Sequence, residues 1–107
     1  EGGLREALRQ IMAISDSYPV MRASDGHGWA SALEARNMFL SAELMLVGSI
    51  ERKESRGAFF RADYPNTDNK SWLKNITYRQ VDGDLAIGAV SVDLKYCGPG
   101  TRSHATA

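Results

Sequence analysis

The stretch MFLSAELMLVGSI, residues 38–50, decides the fold. Met38, Phe39, Leu40, Ala42, Leu44, Met45, Leu46, Val47 and Ile50 are apolar, and wound at 3.6 residues per turn they cover far more than one stripe. A helix apolar most of the way round must be buried most of the way round, so this one wants cover on several sides. The run is 13 residues long and carries Glu43. It therefore falls short of the roughly 20 apolar residues that cross a bilayer, and no direct membrane insertion is expected.

Working outward, Ser31 and Glu34 have the spacing of a capping box at the start of this helix. Arg52 and Lys53 suit the negative end of its dipole, and Gly57 suits the left-handed position after its last turn. The spacing predicts a helix over about 30–55, roughly 37 Å of rod at 1.5 Å per residue. Upstream, Leu4, Ala7, Leu8, Ile11, Ile14 and Tyr18 recur at three and four, while Arg5, Glu6, Arg9 and Gln10 lie between them. That pattern predicts an amphipathic helix over about 3–18, stopped before Pro19. Residues 20–29, VMRASDGHGW, read as a loop. One stripe on the first helix is too narrow to cover the second, so another element, domain or subunit is expected to do so, and the isolated chain is expected to self-associate.

Downstream, Asp82-Gly83 separates NITYRQV from DLAIGAVSVDL, two runs rich in β-branched and aromatic residues. Asp-Gly in that setting predicts a β-hairpin over about 75–93. Gly88 marks a weak point or bulge in the second strand. Residues 97–107 are polar and turn-rich and are expected to be a disordered tail. The fold class expected is mainly α: a small antiparallel helical bundle, spectrin-repeat-like, followed by an extended arm with a β-hairpin. Residues 1–96 form one domain in this scheme.

Composition narrows the function. The 107 residues carry 13 basic and 13 acidic side chains, so no global field gathers nucleic acid or an anionic membrane. Tyr78 and Arg79 are a thin version of the aromatic and basic strand surface that RNA needs, and no nucleic-acid partner is expected. Cys97 is the lone cysteine, which excludes an intrachain disulfide and points to the cytoplasm. The N-terminus lacks the basic and apolar regions of a secretory signal and opens without methionine, as in a piece cut from something longer.

Sites of catalysis are hard to find. His27 and His104 are far apart and Cys97 has no partner at ligand spacing, so no metal site is expected. Ser24, Asp25 and His27 share one turn-forming loop, whereas a triad is assembled from separated positions held by a scaffold. Gly2-Gly3 precedes a helix without the spacing of a phosphate loop. The richest constellation is ESRGAFFRADYP, residues 54–65. Arg52, Lys53, Arg56 and Arg61 are suited to clamp an anionic partner, yet Glu51, Glu54 and Asp63 are interleaved with them, which favours local ion pairing.

Residues 33–75 resemble the C-terminal helical region of the succinate dehydrogenase and fumarate reductase flavoprotein family, which includes L-aspartate oxidase and its relatives. The resemblance rests on Glu34, Asn37 and Met38, the run RKESRGA at 52–58, Arg61, Asp63-Tyr64-Pro65, Asp68 and Trp72-Leu73-Lys74. More weakly it extends over about residues 3–94. It implies a non-catalytic C-terminal domain of an FAD-dependent oxidoreductase, inactive by itself, packed on the flavin-binding and capping domains of a larger electron-transport subunit. It further implies an iron-sulfur subunit as partner and a cytoplasmic location, peripheral to the inner face of the membrane. FAD would sit in the parent enzyme, with no cofactor, catalytic or metal residue in this piece.

Glu54, Ser55, Arg56, Arg61 and Asp63 become, on the same resemblance, candidate interdomain docking residues. Two positions depart from the family pattern: Phe59 and Asn75 stand where relatives carry histidine. Any polar contact those histidines make is lost here, which favours a divergent reductase over a succinate dehydrogenase.

Overall fold

A computed structural model of the protein describes residues 1–18 and 21–95. Within them the chain is mainly helical with a β-hairpin: α1 (Gly2–Ser15), α2 (Gly26–Glu51), β1 (Lys74–Val81) and β2 (Asp84–Ser91). It divides into two compact units, the first Glu1–Lys53 and the second beginning at Glu54. The tail expected at 97–107 lies outside the described residues.

In the first unit α1 packs against α2, with Ile11, Met12, Ser15 and Asp16 facing Phe39 and Glu43 across a crevice of about 60 Å³. The α1 stripe expected from the spacing is half-buried at Leu4, Ala7, Leu8 and Ile11, whereas Ile14 is exposed. Its outer face is laced by Arg5 on Glu1 and Arg9 on Glu6, pairs one helical turn apart that stabilise modestly at an exposed surface. On α2, Ala32, Ala35, Phe39, Ala42, Leu46 and Ile50 form the half-buried stripe, at steps of three and four. Trp29, Leu33, Met38, Leu40 and Met45 remain exposed, Met38 by 70% and Met45 by 72%. Among the described residues no apolar side chain is fully buried. Leu44 and Val47 are half-buried beside that stripe, so within residues 38–50 the uncovered part of the apolar surface is Met38, Leu40 and Met45.

Three boundaries differ from expectation. Helix α1 ends at Ser15, with Asp16 as C-cap, ahead of the expected stop before Pro19. Helix α2 starts at Gly26, not near Ser31, because the Asp25 carboxylate accepts from the Gly28 N–H at 2.7 Å and caps the helix a turn and a half earlier. A Cβ on Gly28 would stand 3.3 Å from that carboxylate oxygen, so glycine lets the cap close in. The helix also ends sooner, at Glu51, with Arg52 already extended as its C-cap. Gly57 does adopt positive φ, +59°, but in a separate turn beyond the helix. Asp25→Ala should cost about 1 kcal/mol of α2 stability. The measurement is hydrogen exchange at Gly28 and Trp29, which should accelerate while β1 and β2 stay unchanged.

The hairpin forms where Asp82-Gly83 places it, with φ of +51° and +92° at the two turn residues. The strands pair antiparallel in unbroken register from Lys74 with Ser91 to Val81 with Asp84, so Gly88 marks no bulge. It lies opposite Thr77, whose hydroxyl would be 3.1 Å from an added Cβ. Every residue of β2 is exposed.

Among the described residues no helix is long and apolar enough to cross a membrane.

Candidate functional site

Residues 54–71 form a polar loop tied by its own side chains. Two tight turns shape it. Arg56 and Phe59 exchange backbone hydrogen bonds of 2.9 and 3.0 Å, with Gly57 at the first turn position, where positive φ favours a residue without Cβ. Arg61 to Tyr64 makes the second turn, closed by the Tyr64 N–H on the Arg61 carbonyl at 3.1 Å.

Ser55 sits between the turns and uses all its polar groups. Its hydroxyl donates to the Tyr64 carbonyl at 2.8 Å and accepts from the Arg61 N–H at 2.9 Å. Its backbone N–H donates to the Asn66 carbonyl, and its carbonyl accepts from the Thr67 hydroxyl at 2.7 Å. One small side chain thereby fixes both arms of the loop.

Glu54 is fully buried, a position a carboxylate tolerates only when it is paired and hydrogen-bonded. Arg56 supplies the pairing through a two-pronged contact, Nε to Oε1 at 2.8 Å and Nη2 to Oε2 at 3.0 Å, and the Asp68 N–H donates to Oε2 at 2.8 Å. Arg56 Nη2 also donates to Asn69 Oδ1 at 2.7 Å. Asp68 in turn accepts from the N–H groups of Ser71 and Lys70. Those bonds, the one from Ser71 foremost, hold its carboxyl below the usual carboxylate range.

Arg61 is the second buried charge, 3% exposed. It grips Asp63 with the same fork, Nε to Oδ1 at 2.9 Å and Nη2 to Oδ2 at 2.5 Å, and its guanidinium lies 4.8 Å from the centre of the Tyr64 ring. The Arg61 hydrogen bonds outweigh the opposing effect of burial and hold the Asp63 carboxyl far below its ordinary range. The sign of the pH dependence follows. Unfolded Asp63 takes its proton near pH ~3.9, whereas folded Asp63 resists it to lower pH. Over that window the unfolded state binds more protons, so stability rises with pH. The contribution is complete above the ordinary carboxylate range and is lost as pH falls through the depressed folded value. An NMR titration of the Asp63 carboxyl should show a midpoint well below 3.9; an ordinary midpoint contradicts the pairing.

The five expected docking residues are thus brought together, but with their charged groups turned largely on their own loop. Glu54, Ser55 and Arg61 are buried, while Arg56 and Asp63 are about one-third exposed. Local ion pairing, one of the two readings open for the basic cluster, is what Arg56 and Arg61 do. The clamp for an anionic partner finds no support, because those two guanidinia already hold carboxylates. Phe60 is a large exposed apolar side chain of the loop, 68% accessible beside the half-buried Phe59. Tyr64 enters the sequence reading only as part of the Asp63-Tyr64-Pro65 match, and the inner partners Asn66, Thr67 and Asn69 were not singled out from the sequence. The one local signal is Asp68 with Ser71 three residues on, the pattern of an Asx turn.

At the N-terminus of α2 the Asp25 carboxylate caps the Gly28 N–H and would repel a pyrophosphate brought to that helix end.

The family model described as fumarate reductase flavoprotein C-term matches residues 1–104. The fumarate reductase flavoprotein subunit of Mycobacterium tuberculosis is 35% identical over 107 aligned residues, covering 94% of this chain and 18% of that protein. The succinate dehydrogenase flavoprotein subunit of Coxiella burnetii is 37% identical over 104, covering 92% and 18%. An uncharacterised FAD-dependent oxidoreductase of Methanocaldococcus jannaschii is 34% identical over 76, covering 71% and 14%. No solved structure gives a significant match. The chain spans less than a fifth of the length of these curated relatives. With a match over nearly every residue, the chain belongs to the fumarate reductase flavoprotein C-terminal family.

Proposed function

We propose that residues 1–107 are the non-catalytic C-terminal domain of an FAD-dependent oxidoreductase subunit of the fumarate reductase and succinate dehydrogenase type. The family match over residues 1–104 carries this, and the exposed apolar faces of α2 support it, because a domain of a longer chain leaves for its neighbours the surface it does not cover itself. The domain packs on the flavin-binding and capping domains of that subunit. The Glu54–Arg56 and Arg61–Asp63 pairs act in this by holding the loop 54–71 rigid, so that Phe60 and the outer edges of Arg56 and Asp63 meet the neighbouring domain in one fixed shape.

The flavin, when bound elsewhere in the subunit, supplies the hydride chemistry for a fumarate- or succinate-like substrate. Residues of this chain contribute rigidity and buried surface and take no catalytic role. The subunit is placed in the cytoplasm, peripheral to the membrane through an iron-sulfur partner.

The test is spectroscopic. The full reading frame should encode a flavin-binding domain ahead of Glu1, and its product should carry flavin absorbance, while residues 1–107 expressed alone should carry none and should self-associate through α2. Stoichiometric flavin on the 107-residue piece, or a start codon at its head, overturns the assignment. A well-behaved monomer of that piece at high concentration counts against the uncovered helix as a docking face.

A further inference from the structure

The hairpin carries a feature that the family match does not explain. In register, Leu73 and Val92 are joined by the Val92 N–H on the Leu73 carbonyl at 3.2 Å, and the two-residue turn closes on Val81 and Asp84. Hydrogen-bonded pairs in an antiparallel ladder alternate. The inward-bonding residues of β2 are therefore Asp84, Ala86, Gly88 and Val90, and the backbone N–H and C=O groups of Leu85, Ile87, Ala89 and Ser91 face away from β1. Among the described residues the sheet has two strands, and nothing pairs with that outer edge.

The edge has none of the usual protections. Natural sheets guard an open edge with charge, proline, a bulge or a short strand. From Leu85 to Val92 the sequence has no charged residue and no proline, the register is unbroken, and the strand runs eight residues, exposed throughout. Strand β1, by contrast, carries Lys74 and Arg79. Leu85, Ile87 and Ala89 also share one face of the ladder with Ile76 and Tyr78, opposite them or diagonal to them. A strand added beside β2 would extend an apolar face as well as complete the ladder. A lone two-stranded hairpin is marginal in water, so an eight-residue pairing in which β2 is exposed throughout and β1 is half-buried only at Lys74 and Ile76 calls for a third strand.

We propose that the outer edge of β2, Leu85 to Ser91, pairs with an extended segment of the same polypeptide outside residues 1–107. The occupant is assigned to the same polypeptide because the relatives run more than five times the aligned length, which places most of the subunit outside these residues. This rests on the flavoprotein-domain assignment above.

Amide hydrogen exchange on the full-length polypeptide tests it. The N–H groups of Leu85, Ile87 and Ala89 should exchange at least 100-fold more slowly than free-peptide rates, alongside those of Ala86, Gly88 and Val90. Ile87→Pro removes an outward donor and should abolish protection at Leu85 and Ala89, while Ile87→Val should keep it. Free-peptide rates at the outward set with a protected inward set overturn the proposal. Protection that fades on dilution overturns it too, since the occupant is then a second copy. Flavin absorbance separates the two assignments: a flavin-bearing polypeptide with an unprotected edge sinks the pairing alone, and a flavin-free one with a protected edge sinks the function alone.

Discussion

Glu54→Ala loosens the loop 54–71 by about 3 kcal/mol, the largest single effect expected in this chain. Its carboxylate is fully buried and is gripped by Arg56 at both oxygens and by the Asp68 N–H. Removing one partner of a buried ion pair costs roughly 3–5 kcal/mol, because the remaining charge is left uncompensated. The lower end applies here, since Arg56 is one-third exposed and regains water when its partner goes. The Asp68 N–H, however, loses its acceptor. Glu54→Gln keeps the shape and one acceptor oxygen but not the charge, and should cost about half as much. Native-state hydrogen exchange at Ser55, Arg61 and Asp68 in the full-length polypeptide reports the change locally, free of the ambiguity of a multidomain melting curve. A loss under about 1 kcal/mol would mean that the turns, and not the carboxylate, hold the loop together.

Arg61→Ala is expected to cost a similar amount, about 3 kcal/mol, by a different route. Its side chain is 2% exposed, so truncation removes the fork on Asp63, the contact with the Tyr64 ring and the packing of the side-chain stem together. Asp63, about one-third exposed, rehydrates. Arg61→Lys retains the charge but cannot reproduce a planar fork or lie flat on an aromatic ring, so it should recover less than half of the loss. The accompanying signature is the Asp63 titration: in Arg61→Ala the carboxyl midpoint returns toward the ordinary ~3.9. If Arg61→Lys matches the parent in both exchange and titration, a point charge suffices and the bidentate geometry is immaterial.

The two buried pairs show why this loop was only partly legible. ESRGAFFRADYP declares its ion pairs, since Arg56 and Arg61 are each two residues from the carboxylates they grip. What sequence spacing does not reveal is which charges go inside. Glu54 is the most buried large side chain among the described residues because Asp68 and Asn69, 14 and 13 positions away from the groups they bind, return to meet it and Arg56. Ser55 likewise finds partners nine to twelve positions downstream. Those contacts depend on two turns closing together, which no local preference encodes.

The same division runs through the whole chain. Periodicity, the breadth of the apolar surface at residues 38–50 and the Asp-Gly turn determined two helices, a hairpin and the need for outside cover, because each depends on neighbours within a turn or a strand. The tertiary structure decided where α2 ends, since Glu54 was drawn into the loop by Asp68 instead of joining a last helical turn; the helix start at the Asp25 cap is as local a signal as the Ser31 box, and the structure showed which of the two is used. It also decided that, among the described residues, the buried side chains are the charged and hydroxyl groups of Glu54, Ser55 and Arg61 and not apolar ones. A buried carboxylate or guanidinium is stable only when every polar atom is met at once, and that condition is set in three dimensions.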